Sequence, residues 1–234
     1  MNHAVNLELI QLFEGIRVAD ARDGLDWMGY HHYGSVNQNF RPIFYGSPVV
    51  GIAKTARYLP YEGPVPPSKK DEEARQAYRD HFSKVNSGEV PFWLTLQPGD
   101  FVCLDMSETD VGIIGSANAL WHKGMGCVGY LLNGAARDVD EMILQKNPCW
   151  LRSVANNSMG ARAYFHEADI PIAIGGAAIF PGDVVVGDGD GVVVVPRRIA
   201  RDVAKWARKE NVKDRADRKS QYINLGIELD STVS

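Results

Sequence analysis

The segment that most restricts the fold is Ile179–Pro196, IFPGDVVVGDGDGVVVVP, in which two valine runs are separated only by GDGDG. An unbroken β-branched run is the mark of a strand buried on both faces, because a half-exposed strand would alternate polar and apolar residues. The glycines and aspartates between the runs suit a tight turn, since glycine takes positive φ without steric cost. A calcium loop is the competing reading of Asp188 and Asp190, but the third acidic ligand and the downstream glutamate of such a loop are missing. Strands covered on both sides require further layers, so helices must pack against them.

The rest of the chain supplies those helices. Leu9, Leu12, Phe13 and Ile16 recur at helical spacing and predict a helix over about 5–16, with a second at Val18–Trp27. Residues 29–48 read as irregular connection, and VVGIAKTAR, Val49–Arg57, as a strand. LPYEGPVPPSKK, residues 59–70, carries four prolines and is expected to be an exposed loop, followed by a charged helix-forming stretch over 71–87. LQPGDFVCLD echoes IFPGDVVVGD, which suggests two similarly placed turn-and-strand units. Between them the pattern predicts a helix over about 116–123, a strand GCVGYLL, a turn at Asn133-Gly134 and a helix beginning near Asp138. An amphipathic helix from Ile199 to about Arg218 closes the chain. The whole, residues 1–234, reads as a single mixed α/β domain with the Pro-rich loop on its surface.

Composition excludes several partners. A net charge of -4 leaves no broad basic surface for nucleic acid. MNHAVNLELIQLFEGIR lacks the basic start and apolar core of a signal peptide, and no apolar run is long enough to span a bilayer, so a cytoplasmic location with no membrane partner is expected. Cys103, Cys127 and Cys149 cannot all pair within the chain, and buried free thiols are expected.

Three chemical motifs weaken on inspection. Gly124-Met-Gly126-Cys-Val-Gly129 matches a dinucleotide fingerprint, but its glycines lead from a helix into a strand, the reverse of the order that meets a pyrophosphate. His31-His32 has no evident third metal ligand. Lys54 could form a Schiff base from within its apolar strand, although a lysine there more commonly keeps its ammonium in water.

The segment GCVGYLLNGAARDVDEM carries more. A buried strand runs out through small residues into Arg137-Asp138, where a helix begins, and ligands collect at such strand ends. Asp138 with Glu141 also fits a helix capping box, which leaves a purely structural role for the aspartate open. Upstream, Gly112-Ile-Ile-Gly115-Ser116-Ala117-Asn118 is a glycine-flanked loop leading into a helix, whose free amides suit a carboxylate. One helix and one strand separate the two segments, so both return to the same end of the sheet.

The run from Gly115 through GCVGYLLNGAARD and on through IPIAIGGAAIFPGDVVVGDGDGVVVVP resembles the RraA-like family, which includes 4-hydroxy-4-methyl-2-oxoglutarate and 4-carboxy-4-hydroxy-2-oxoadipate aldolases. The likeness covers about residues 96–210, with VADARDGL and VVGIAKT fitting more loosely. It implies a swivelling α-β-β-α sandwich with mixed sheets, assembled as a trimer or hexamer with active sites at subunit interfaces. It further implies a divalent metal, Mg2+ or Mn2+, held at Asp138 largely through water, with Asp214 of a neighbouring subunit as a weaker metal position. Arg137 would bind the 2-oxo acid and, with Ser116, serve catalysis. Gly115, Ser116, Ala117 and Asn118 would receive the substrate, the amides of Ala117 and Asn118 taking its carboxylate. Two departures stand out: Ser116 and Asn133 occupy positions where the family's aldolases carry acids. The implied activity is metal-dependent cleavage of a C–C bond in a 2-oxo acid, by aldol cleavage of a 4-hydroxy-2-oxo acid or decarboxylation of oxaloacetate, through a pyruvate enolate. A different branch of the family implies a non-catalytic regulator that binds a ribonuclease.

Overall fold

The computed structural model describes residues 2–46, 48–66 and 71–233. In chain order the elements are α1 His3–Leu12, α2 Val18–Trp27, β1 Arg41–Pro42, β2 Val49–Pro60, α3 Glu72–Val85, α4 Glu89–Trp93, β3 Asp100–Asp105 and β4 Gly112–Ile114. They continue with α5 Ser116–Gly124, β5 Gly129–Ala136, α6 Val139–Leu144, β6 Cys149–Val154, β7 Ala163–Ala168, β8 Ile172–Ile174 and β9 Ala177–Ile179. β10 Val184–Asp188, β11 Gly191–Val195 and α7 Ala200–Leu225 complete the fold.

The main sheet runs β1-β6-β5-β3-β2-β10-β11, with β4 added beside β5 and β7 beside β2. β2, β3, β5 and β6 are parallel, while β10 runs antiparallel to β2 and β11 antiparallel to β10. Alternate residues of each central strand enter different cores, as both-face burial requires. Phe101 and Cys103 of β3 join Val185, Val192, Val194 and Trp150 in a core between the two halves of the sheet. Val102 and Leu104 of the same strand face the opposite way, toward α4 and α5. Val184, Val186, Val193 and Val195 face α1, α2 and α7. Helices therefore cover the outside of each half, and the expected α-β-β-α sandwich is present.

The valine runs pair as the sequence requires: Val186 lies opposite Val193, and the hairpin closes at Asp188 and Gly191. Asp188 fixes the turn by accepting from the Asp190 amide at 2.8 Å, and its other oxygen accepts from Val18 at the start of α2 at 2.8 Å. The two Pro-Gly-Asp turns also match. Gly99 and Gly182 both adopt φ +91°, and Asp100 and Asp183 each accept a 2.9 Å bond from the amide three residues back. All three cysteines are free and buried, and burial pushes their thiols up, Cys127 to about 11.

Several boundaries differ from the sequence expectation. α1 ends at Leu12, and Phe13 and Ile16 reach the core from the turn that follows it. The expected turn at Asn133-Gly134 is absent, because β5 continues to Ala136. Gly134 is small for a different reason: a Cβ there would lie 2.6 Å from Met106 Sδ. The supposed loop at 112–114 is the short strand β4, paired with Ala135 and Ala136. Of the Pro-rich stretch, Leu59 and Pro60 belong to β2, residues 61–66 follow as coil and bend, and residues 67–70 lie outside the described residues. α7 runs seven residues beyond Arg218, to Leu225, where Gly226 at φ +67° ends it.

Candidate active site at the ends of β4 and β5

β4 and β5 are parallel and end side by side, which places Gly115 and Arg137 at the same edge. The Arg137 amide donates to Ile114 O at 2.9 Å and locks the two strand ends together. Arg137 and Asp138 stand between two openings. One, about 420 Å³, is lined by Gly115, Ala117, Asn118, Ser158 and Glu89, and the other, about 570 Å³, by Val154, Ala155 and Asn156.

The glycine spacing follows from this geometry. A Cβ on Gly112 would lie 2.9 Å from Arg137 Cβ, and one on Gly115 would lie 2.5 Å from Asp138 Oδ2. Both are closer than real Cβ contacts, so the two glycines create the room in which the Arg-Asp pair sits.

Asp138 precedes α6 but does not cap it: its side chain makes no capping bond, and its backbone is left-handed, with φ +54° and ψ +37°. The Asp138–Glu141 capping box is therefore not formed. A left-handed aspartate costs free energy and marks a position that function commonly uses. Its Oδ2 lies 3.6 Å from Arg137 Nε, and both side chains are about two-fifths exposed.

At the start of α5, Gly115 offers no side-chain cap. Its own N–H donates to Asn118 Oδ1 at 2.7 Å, while Asn118 Nδ2 donates to Ile113 O at 2.9 Å. The Asn118 side chain is thus occupied, and the backbone amides of the first turn are what this helix end presents. Ser116 is buried and does not line the cavity, so the site brings together Gly115, Ala117, Asn118, Arg137 and Asp138 without the serine hydroxyl. Asn133 is also buried, where it donates to Asp105 Oδ1 at 3.3 Å.

Asp214 lies elsewhere, on α7 facing α2, where its carboxylate accepts from Arg17 at 2.7 Å and pairs with Arg218. Lys54 is ion-paired with Asp169 at 2.8 Å, and exposed His31 sits 3.2 Å from Asp26. Among the described residues no three His, Cys, Asp or Glu side chains gather as a ready metal cage. Asp138 offers hard carboxylate oxygen at an accessible edge, which suits a largely hydrated Mg2+ or Mn2+ and not a nitrogen- or sulfur-seeking ion.

Sequence reading missed Glu89. It reaches the same cavity from α4, and no motif ties it to Arg137. Tyr58 Oη donates to its Oε1 at 3.0 Å. Burial raises the carboxyl above the usual range, and the hydrogen bonds from Tyr58 and Trp93 offset part of that rise.

The RraA-like (Aldolase/RraA) family model matches residues 17–194. The chain belongs to the RraA-like family. The RraA-like match includes every cavity residue named above. A Halalkalibacterium halodurans protein named "Putative 4-hydroxy-4-methyl-2-oxoglutarate aldolase" is 30% identical over 120 residues, 51% of this chain and 57% of that protein. The chain spans about half the length of the curated aldolase-named relatives it matches. Two solved structures share the fold. An uncharacterized protein from Pseudomonas syringae pv. tomato superposes with a TM-score of 0.71 at 25% identity, over 97% of this chain and 98% of that one. Streptomyces coelicolor RraAS2, described as an unusual member of the RNase ES inhibitor RraA protein family, gives 0.71 at 22% identity, over 90% and 96%. No helix among the described residues is long and apolar enough to cross a membrane.

Proposed function

We propose that this RraA-like chain is a divalent-metal-dependent lyase. It cleaves a C–C bond of a 2-oxo acid, either a 4-hydroxy-2-oxo acid by aldol cleavage or oxaloacetate by decarboxylation. The observation that carries this reading is the Arg137–Asp138 pair, held apart at 3.6 Å beside an uncapped helix start and open to a common cavity.

Each group has a part suited to its chemistry. The amides of Ala117 and Asn118 receive the substrate carboxylate, as helix N-termini receive anions. The Arg137 guanidinium faces the 2-oxo group and stabilises the negative charge that grows on its oxygen as the enolate forms. Asp138 would hold Mg2+ or Mn2+, which supplies Lewis acidity at the 2-oxo group when bound. Asp214 would contribute only from a neighbouring subunit of a trimer or hexamer, after opening its pairs with Arg17 and Arg218.

The second reading, a protein-binding regulator of a ribonuclease, has support in the shared fold with RraAS2. Pyruvate release from a panel of 4-hydroxy-2-oxo acids and oxaloacetate separates the two. A lyase releases pyruvate with Mg2+ or Mn2+ and stops when EDTA is added. A folded protein that releases none from any substrate with either metal refutes the lyase and leaves the regulator.

A further inference from the structure

We propose that Glu89 is the proton-transfer residue of this cavity, a role that rests on the lyase reading above. Three observations place it there. Glu89 shares the cavity wall with Arg137, Asp138 and the start of α5. Its Oε1 is fixed by Tyr58 on β2, whose ring is fully buried and packs edge-on against Phe165, so the carboxyl is held in one place. None of the ion pairs among the described residues includes Glu89. A partly buried carboxyl with no cation at its side does little for stability and is poised to exchange a proton.

The step balances without an outside reactant. The Glu89 carboxylate takes the proton of the substrate's C4 hydroxyl, and the freed O–H electron pair forms the new C4 carbonyl. The C3–C4 bond breaks, and its electrons pass into the C2–C3 enolate, with the charge on the C2 oxygen opposite Arg137. Glu89 then returns its proton to C3, giving pyruvate and releasing the second carbonyl product. Glu89 starts and ends ionised.

The charged and titratable groups around Glu89 are Tyr58 on β2 and Arg137 and Asp138 across the cavity. Lys54 and His122 face its helix through the rings of Phe92 and Trp93. Burial raises Glu89, so the active ionised form is reached as pH rises and lost as pH falls through the raised value. Removing the Tyr58 hydroxyl takes away a bond that favours the ionised form and moves this acid limb to higher pH.

The test uses 4-hydroxy-2-oxo acid cleavage by the Mg2+-loaded protein. Glu89→Gln keeps an acceptor for Tyr58 and is expected to lower kcat about 10²–10⁴-fold, the range for one general acid–base group. KM should stay within about threefold, and the acid limb should vanish. Tyr58→Phe should retain activity at high pH and shift the acid limb upward. In the metal-free protein, infrared titration should show a carboxyl absorbing as the neutral acid above the usual carboxylate range, missing in Glu89→Gln. A Glu89→Gln protein with wild-type kcat and an unchanged limb overturns the assignment, as does an unmoved limb in Tyr58→Phe. If Arg137→Ala loses activity while Glu89→Gln keeps it, only Glu89's role falls. A wild-type protein that releases pyruvate from neither the 4-hydroxy-2-oxo acids nor oxaloacetate removes both readings, and one that only decarboxylates oxaloacetate removes Glu89's role alone.

Discussion

Two arginine–aspartate arrangements lie on different parts of this chain, and they differ in how far the fold satisfies them. Between α2 and α7, Arg17 holds Asp20 with bonds of 2.6 and 2.9 Å and Asp214 with one of 2.7 Å, while Asn211 adds a bond to Asp20 at 2.7 Å. Burial would raise Asp20, yet the bonds from Arg17 and Asn211 outweigh it and hold the carboxyl below the usual range. Arg137 and Asp138 approach only to 3.6 Å, with no hydrogen bond between them and a cavity on either side. The first arrangement joins two helices to each other. The second leaves donor and acceptor capacity for something outside the chain. Residue type alone does not separate the two; the degree of satisfaction does.

The comparison is broken most forcefully at Arg137. Arg137→Ala is expected to lower kcat about 10²–10³-fold, the scale for losing one preorganised stabiliser, with little change in thermal unfolding. A purified variant within threefold of wild type removes the contrast. Gly115→Ala is the next largest. Gly115 has φ -138°, which alanine accepts, so the added methyl acts on Asp138 and not on the backbone. We expect kcat/KM to fall by about 10–100-fold, as for a misplacement near one ångström, and the apparent metal affinity to weaken. Normal metal dependence in that variant would show that Gly115 does not set the position of the Asp138 carboxylate.

Arg17→Ala should do the opposite, costing about 2 kcal/mol of stability, as for bonds to charged groups, while kcat stays within threefold. A fall in kcat as large as that of Arg137→Ala would place Arg17 and Asp214 in a neighbouring subunit's site. The loss should fade in acid: Asp20 is depressed, so its contribution is complete above the ordinary aspartate value near about 4 and disappears as pH falls through the lower folded value. Denaturant melts of both proteins at neutral and acid pH measure that smallest difference.

The parts legible in the sequence were those fixed by local rules. Valine runs declared strands buried on both faces, and the two Pro-Gly-Asp echoes gave turns with the same glycine φ and the same aspartate bond. The Gly112–Gly115 and Arg137–Asp138 segments could be joined because one helix and one strand bring the chain back to the same edge. Non-local packing set the rest. Gly134 read as a turn, whereas it makes room for Met106 within a continuous strand. Asp138 read equally well as a cap, and its missing side-chain bond and left-handed backbone removed that role. Glu89 had no signal because α4 meets the cavity through tertiary contact alone, fixed by a hydrogen bond to Tyr58 on another element.

Binding of oxalate, a planar mimic of the pyruvate enolate, tests the central claim most directly, since it needs no turnover and no choice of natural substrate. In calorimetric titrations with Mg2+ present, the wild-type protein should bind oxalate, EDTA should abolish binding, and Arg137→Ala should weaken it about 100-fold or more. Equal affinity in wild type and Arg137→Ala, or binding that survives EDTA, would contradict an enolate site built on Arg137 and Asp138.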